Sequence, residues 1–248
     1  MKLLQGVPLI AVLLAVLAFA NEAAGEHPPG KGGRLNVRVM DDFGGFDHIL
    51  APHAGIARLQ ILFAVHDRLF EPSSKTGKPI PRLALRATPG DDFKRWRVTL
   101  RSGIRFSNGE PLNADAYVQH FERLLDSEYA RRFRAVMGAP LKKVTAPGKL
   151  LVEFQFSKPN PGFRAILGYG GAYVWSLNAP AFMARNRAHP GLTGKSAGAG
   201  PFRIASWEQG ARVVLKRNPN YWDPSAQHLD EITYHVLDGS KLDDILRR

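Results

Sequence analysis

A chain of 248 residues with 44% hydrophobic side chains can bury one large core or two smaller ones, which excludes wholesale disorder. It holds no cysteine, and this excludes disulfides, thiolate metal sites, thiol catalysis and a lipid-modified N-terminal cysteine. The formal charge of +12 is scattered through Arg82, Arg86, Arg95, Arg97, Arg101, Arg105, Arg131, Arg132 and Arg134 instead of being concentrated with interleaved aromatics, so a solvated basic surface is expected and a nucleic-acid partner is not.

Met1-Lys2 is a short basic start, followed by an apolar run from Leu9 to Ala20. Small residues at Ala18, Ala20, Ala23 and Ala24 offer cleavage after Ala20 or Ala24. The pattern predicts a cleavable secretory signal over residues 1–24, with an uncleaved anchor as the alternative; without a cysteine it is not a lipoprotein signal. Secretion without cysteine fits a bacterial periplasm. Residues 25–33, rich in Gly and Pro, read as a flexible leader.

Arg34 to Val39 alternates strictly and predicts the first strand. A turn-rich loop follows, Asp41-Asp42-Phe43-Gly44-Gly45-Phe46-Asp47-His48. Ile56, Leu59, Leu62, Phe63 and Val65 suit a helix ending near His66. Leu69-Phe70 is extended, residues 73–81 read as a polar loop, and Pro89-Gly90-Asp91-Asp92 is a strong turn. Trp96, Val98 and Leu100 alternate with polar neighbours, predicting a strand with one wet face, for which Ile104 and Phe106 offer a partner.

The clearest helix starts at Asn113, a good N-cap, with Asp115 in the first turn. Ala114, Tyr117, Val118, Phe121, Leu124 and Leu125 form its apolar face. Residues 129–137 predict further helical turns, and 141–144 with 150–156 predict a hairpin about Pro147-Gly148. A short helix is expected over 163–167, and Asn178 is expected to cap another running to Arg187. Between them, residues 168–175 hold three glycines and three aromatics, which suggests backbone lying close to something flat or bulky.

Gly198-Ala199-Gly200-Pro201 opens a strand through Phe202 and Ile204. Gly210 turns it into Val213-Val214-Leu215, and Asn218-Pro219-Asn220 stops the second strand before Tyr221-Trp222. Ile232 to Val236 is another alternating strand, and Ser240 to Asp243 reads as a capped helix start. Two turns of helix are not stable alone, so the sequence is expected to be part of a longer product.

No motif calls for a cofactor or a metal. Gly194-Lys195-Ser196 lacks the P-loop glycine, position 189 being His. Asp41, Asp42, Asp47, His48 and His53 match no ligand spacing. No His-Glu-x-x-His occurs, although a carboxylate pair could still meet in space. A secreted hydrolase and a basic surface adhesin stand as open readings.

Several segments, in order, resemble family 5 of the extracellular solute-binding proteins, the peptide and nickel class serving ABC importers. They are His66-Asp67-Arg68-Leu69-Phe70, Pro81-Arg82-Leu83-Ala84, Leu100 to Ala116 (Leu-Arg-Ser-Gly-Ile-Arg-Phe-Ser-Asn-Gly-Glu-Pro-Leu-Asn-Ala-Asp-Ala), Gly198 to Phe202, Leu215 to Trp222 and Leu229-Asp230-Glu231-Ile232.

The resemblance implies an α/β fold of the periplasmic-binding-protein kind (type II, cluster C). This chain would supply lobe one plus a small extra α+β domain, with the second lobe missing. The implied division is residues 34–55 for the first part of lobe one, 56–167 for the small domain and 168–248 for the return into lobe one. The resemblance also implies capture of a peptide or peptide-like solute and its delivery to ABC permease subunits, by a monomer without catalysis. The implied ligand-binding residues are Asp42, Phe43 and Gly44, whose backbone would pair with an extended ligand, and, as weaker carry-overs, Tyr129, Tyr173 and Trp175.

Overall fold

The computed structural model describes residues 30–40, 42–43, 45–46, 56–90, 92–126, 130–169, 176–185 and 195–237. In chain order the elements are β1 (Arg34–Val39), α1 (Ile56–Val65), β2 (Phe70–Pro72), β3 (Pro79–Pro81), β4 (Ala84–Pro89), β5 (Arg95–Leu100), α2 (Ala114–Asp126) and α3 (Ala130–Val136). There follow β6 (Leu141–Gly148), β7 (Leu151–Phe156), α4 (Phe163–Tyr169), α5 (Pro180–Arg185), β8 (Phe202–Glu208), β9 (Arg212–Arg217), a 3-10 turn (Pro224–Ala226) and β10 (Glu231–Val236).

Two sheets carry the fold. The first has strand order β1-β10-β9-β8, with β1 parallel to β10 and the other pairs antiparallel. Its apolar face is filled by Val39, Phe202, Ile204, Val213, Leu215, Ile232 and Tyr234, and Ile61 and Val65 of α1 join the same core. Gly210 makes the β8–β9 reversal at φ 73°, as the turn requires. Gly32 and Gly33 lie in the expected leader, yet their amides donate to His228 O (2.6 Å) and Asp230 Oδ2 (2.9 Å), beside β10.

The second sheet has order β4-β5-β7-β6 and is antiparallel throughout. Trp96, Val98 and Leu100 face inward with Val152, Phe154, Phe156, Leu141 and Val144, while Arg95 and Arg97 face solvent. Helix α2 covers the inward face through Tyr117, Phe121 and Leu124. Asn113 caps it as the sequence predicts, its Oδ1 accepting from Ala116 N at 3.1 Å. Phe121 meets Phe154 edge-on at 5.2 Å, and Phe156 meets Phe163 of α4 at 4.9 Å. Such pairs add about 0.5–1.5 kcal/mol each beyond the area they bury.

Three expectations are corrected. Ile104 and Phe106 form no strand beside β5. Its partners are β4 and β7, and the 101–112 segment folds as successive turns closed by an Arg105–Pro111 bridge. The physical reason is that Gly103 (φ 76°) and Gly109 (φ 89°) bend the chain too often for a ladder. The 73–81 loop contains β3, which pairs with β2 about a tight turn in which Gly77 N donates to Ser73 O. Asn178 does not cap α5; its Oδ1 accepts from Ser196 Oγ (2.7 Å) and Ala197 N (2.9 Å), while Glu110 Oε2 accepts from Ala181 N at 3.0 Å in the first turn of α5. Helix α1 packs into the first sheet's core, and Leu177, Ala179, Ala197 and Ala199 share the second sheet's core.

Candidate functional site

Strands β1 and β10 run parallel and end together, at Val39 and Val236. Leu237 N extends the ladder by donating to Val39 O at 2.8 Å. In open α/β sheets the carboxyl ends of parallel strands are where ligands meet the fold, because the loops there are free to vary. The loop that leaves β1 at this edge contains Asp42 and Phe43.

The geometry separates the roles of these two residues. Asp42 is exposed; its Oδ1 accepts from Phe43 N at 2.7 Å and its Oδ2 from Gly210 N at 3.0 Å, tying the loop to the β8–β9 turn. The carboxylate thus binds its own chain's backbone. The Phe43 side chain is fully buried, edge-on to Tyr234 of β10 at 6.3 Å. Phe46 lies parallel to Phe43 at 6.3 Å and edge-on to Trp207 of β8 at 5.2 Å. The rings of Phe43 and Phe46 therefore cross the sheet from Tyr234 of β10 to Trp207 of β8, turned inward, and Asp42 is the exposed residue beside them.

Three residues at this edge are missing from the sequence-based set: Phe46, Trp207 and Tyr234. The repeat Phe43-Gly44-Gly45-Phe46 was the available signal for the first of them. Trp207 Nε1 is buried beside Phe46 and donates to no acceptor. Gly44, Tyr129, Tyr173 and Trp175 lie outside the described residues, as do the signal segment and the capped start at Ser240. Among the described residues no group of three or more His, Asp or Glu side chains could hold a metal ion.

Behind the edge, two polar nodes join the sheets. At the first, Asp67 Oδ2 accepts from Trp222 Nε1 (2.9 Å), Tyr221 Oη (3.0 Å) and Arg82 Nη2 (3.3 Å), while its Oδ1 accepts from Arg68 N (2.7 Å). Arg82 also reaches Glu71 at 3.5 Å, and Arg101 stacks over Trp222 at 4.2 Å. Burial and the Asp67 carboxylate both push the Tyr221 phenol upward, so it stays a neutral donor.

At the second node, His66 is buried at the end of α1. Its Nδ1 lies 3.0 Å from Leu177 O and its Nε2 3.2 Å from Ser196 Oγ. Burial lowers its pKa to about 4, against the Leu177 carbonyl, which favours the charged ring; His120 adds a smaller lowering. The ring is therefore neutral near pH 7. Gly198 and Gly200 pass so close that a Cβ would stand 2.2 Å and 2.6 Å from Val65 O. Only glycine allows the Gly200 N to Val65 O bond of 2.8 Å in that space.

Asp67, Arg82, Gly198, Gly200, Tyr221 and Trp222 thus meet in space although 155 positions separate the first of them from the last. Residues 78–245 match the family described as bacterial extracellular solute-binding proteins, family 5 middle. The chain belongs to that family. Among curated relatives, the probable D,D-dipeptide-binding periplasmic protein DdpA of Escherichia coli is 35% identical over 133 residues, which is 53% of this chain and 25% of that protein. The periplasmic oligopeptide-binding protein OppA of Salmonella typhimurium is 24% identical over 95% of this chain and 46% of its own length.

Among solved structures, the substrate-binding domain of an oligopeptide ABC transporter from Bacillus anthracis matches with a TM-score of 0.72 at 25% identity, over 86% of this chain and 44% of that one. DppA from Helicobacter pylori, solved with the peptide STSA, matches in fold at 0.72 and 22% identity, over 88% of this chain and 46% of that one. The fold is that of a periplasmic binding protein, seen as part of a lobe, and the chain spans less than half the length of these relatives. The relatives are solute-binding proteins.

Proposed function

We propose that the protein captures peptides or peptide-like solutes in the periplasm and hands them to the permease of an ABC importer, without chemical turnover. The carrying observation is that the segment leaving β1 at the carboxyl ends of β1 and β10 holds exposed Asp42 beside Phe43, whose ring is buried and anchors it to the sheet. An extended peptide suits a segment at such a sheet edge, because it can add as a strand. Family membership and the peptide-binding relatives support the same reading. On this reading residues 1–24 are a cleaved signal, the protein acts as a monomer, and a solute-contacting lobe is joined to a smaller one carrying the second sheet.

The test is calorimetric titration of di- to pentapeptides into protein from the complete reading frame. Salt-insensitive 1:1 binding is expected, with no product formed. A Gly44→Pro variant, which removes one backbone donor from the loop, is expected to bind at least about tenfold more weakly, the worth of one hydrogen bond made inside a cleft. Hydrolysis of any peptide overturns the reading, as does unchanged affinity in a folded Gly44→Pro protein.

A further inference from the structure

The outer face of the second sheet carries charges that the fold does not need. Register places Arg86 and Thr88 of β4, Arg95, Arg97 and Thr99 of β5, Glu153 and Gln155 of β7, and Lys143 and Thr145 of β6 on one side. Arg86, Arg95, Arg97 and Lys143 are exposed, as is Lys142 at the bulge beside them. Among the described residues of this face Glu153 is the one acid opposing these five cations, and it pairs with Arg97 at 2.9 Å and Arg95 at 3.4 Å. Burial by itself would raise the Glu153 pKa, yet Gln155, Arg97 and Arg95 hold it below the ordinary value, so the carboxylate is charged and its neutralising capacity is already spent. Arg95 and Arg97, two apart on β5, lie on the same face and repel. A soluble sheet face needs polar residues, not this excess of one sign.

We propose that this face binds the surface of an anionic lipid bilayer, its arginines and lysines contacting lipid phosphates. Shape decides against a duplex: four strands spaced about 4.8 Å apart span about 14 Å between the outer axes, too wide for a major groove of about 12 Å. Side-chain type decides against a single strand, because the outward positions on these strands are Thr, Gln, Arg, Lys, Glu and Leu151 and offer no ring for a base to stack on. A planar lattice of phosphates matches a broad, gently twisted basic face. The surface is remote in sequence from the 42–46 loop, and it operates whichever solute the protein carries.

The experiment is co-sedimentation of the protein with phosphatidylcholine vesicles with and without phosphatidylglycerol, at low and physiological salt. Binding is expected only to the anionic vesicles and is expected to fall as salt rises. Replacing Arg86, Arg95, Arg97 and Lys143 together by Gln is expected to weaken it at least about tenfold, whereas replacing the exposed Arg38, Lys78, Arg203 and Lys216 by Gln costs less than about twofold. Glu153→Gln removes the opposing charge and is expected to tighten binding, an effect of opposite sign that loss of fold cannot mimic. Equal binding to neutral vesicles, equal losses in the two quadruple variants, weaker binding by Glu153→Gln, or tighter binding to DNA than to vesicles at matched phosphate each overturns the proposal.

Discussion

The two sheets are built on opposite plans. The second closes on itself: its strands are antiparallel, its partners lie near in sequence, and α2 covers its inner face with residues from the same stretch. The first is assembled from distant pieces, since β1 pairs with β10 nearly two hundred residues later in register Arg34 to Glu231. Within β1 only Val39 is buried, and Leu35 remains 44% exposed. Local closure makes the second sheet the more self-sufficient unit, and long-range closure makes the first dependent on whatever pins its strands together. The pins are the nodes at Asp67 and His66.

The largest effect is expected from breaking the self-sufficient unit. Phe121 is fully buried against Phe154 and Phe133, and Phe121→Asp would put a charge there with no partner. The penalty is comparable to the total stability of an ordinary domain, roughly 5–15 kcal/mol, once burial of the charge and loss of the ring are combined. Expression of insoluble protein without a cooperative melt is expected; a folded, soluble variant would show that α2 does not organise this core.

Next comes the link between the sheets. Asp67→Ala leaves Tyr221 Oη, Trp222 Nε1 and one face of Arg82 without an acceptor. The expected cost is about 3–5 kcal/mol, the range for stripping one partner from a buried charged group. Its signature would be that unfolding followed by tryptophan fluorescence and by far-UV circular dichroism no longer coincides, because the sheets part company. A variant within about 1 kcal/mol of the parent, melting in one step, would sink the idea that Asp67 couples them.

His66 provides a subtler break. Its folded pKa of about 4 lies below the ordinary 6.5, so the unfolded chain takes up the proton first as pH falls. The stability held by the neutral ring is fully present above about pH 6.5 and is lost progressively as pH falls from there to about 4. The total is about 3 kcal/mol, since each pH unit of separation is worth about 1.4 kcal/mol. Denaturant titrations at several pH values should show the parent losing this much between pH 7 and 4 relative to His66→Asn. Parallel pH profiles for the two proteins would refute the role.

What the sequence revealed follows the same division. Local signals were enough for the second sheet: the alternation of Trp96, Val98 and Leu100, the β6–β7 hairpin and the Asn113 cap are all read within a few residues, although the hairpin turns at Lys149-Leu150 and Pro147-Gly148 ends β6. The β8–β9 hairpin was legible for the same reason. Ile104 and Phe106 were misread because alternation over three residues also fits a chain of turns, and only the positions of Gly103 and Gly109 tell the two apart. Asn178 was misread because an Asn before a helix is a good cap only if no distant donor competes, and the Ser196 hydroxyl and the Ala197 amide do. At the site, Asp42 and Phe43 were identifiable as a loop leaving a strand. That Phe43 faces inward while Asp42 clasps Gly210 depends on β8 and β9 arriving from far along the chain, and no local pattern encodes it.

The smallest effect returns to the self-sufficient sheet and tests whether its independence is local in origin. Asn113 Oδ1 satisfies one of the amides left open at the start of α2, and Asp115 places a negative charge in the same first turn. Asn113→Ala should cost about 1 kcal/mol, and Asn113→Asp should cost almost nothing because an aspartate offers the same acceptor with favourable charge. If α2 derives its stability from its own end as well as from the sheet beneath it, the two substitutions will differ in urea midpoint by about that amount while leaving the denaturant slope unchanged. If they do not differ, the helix is held by packing alone, and the local character of the second sheet rests on Phe121 and its neighbours and not on the cap.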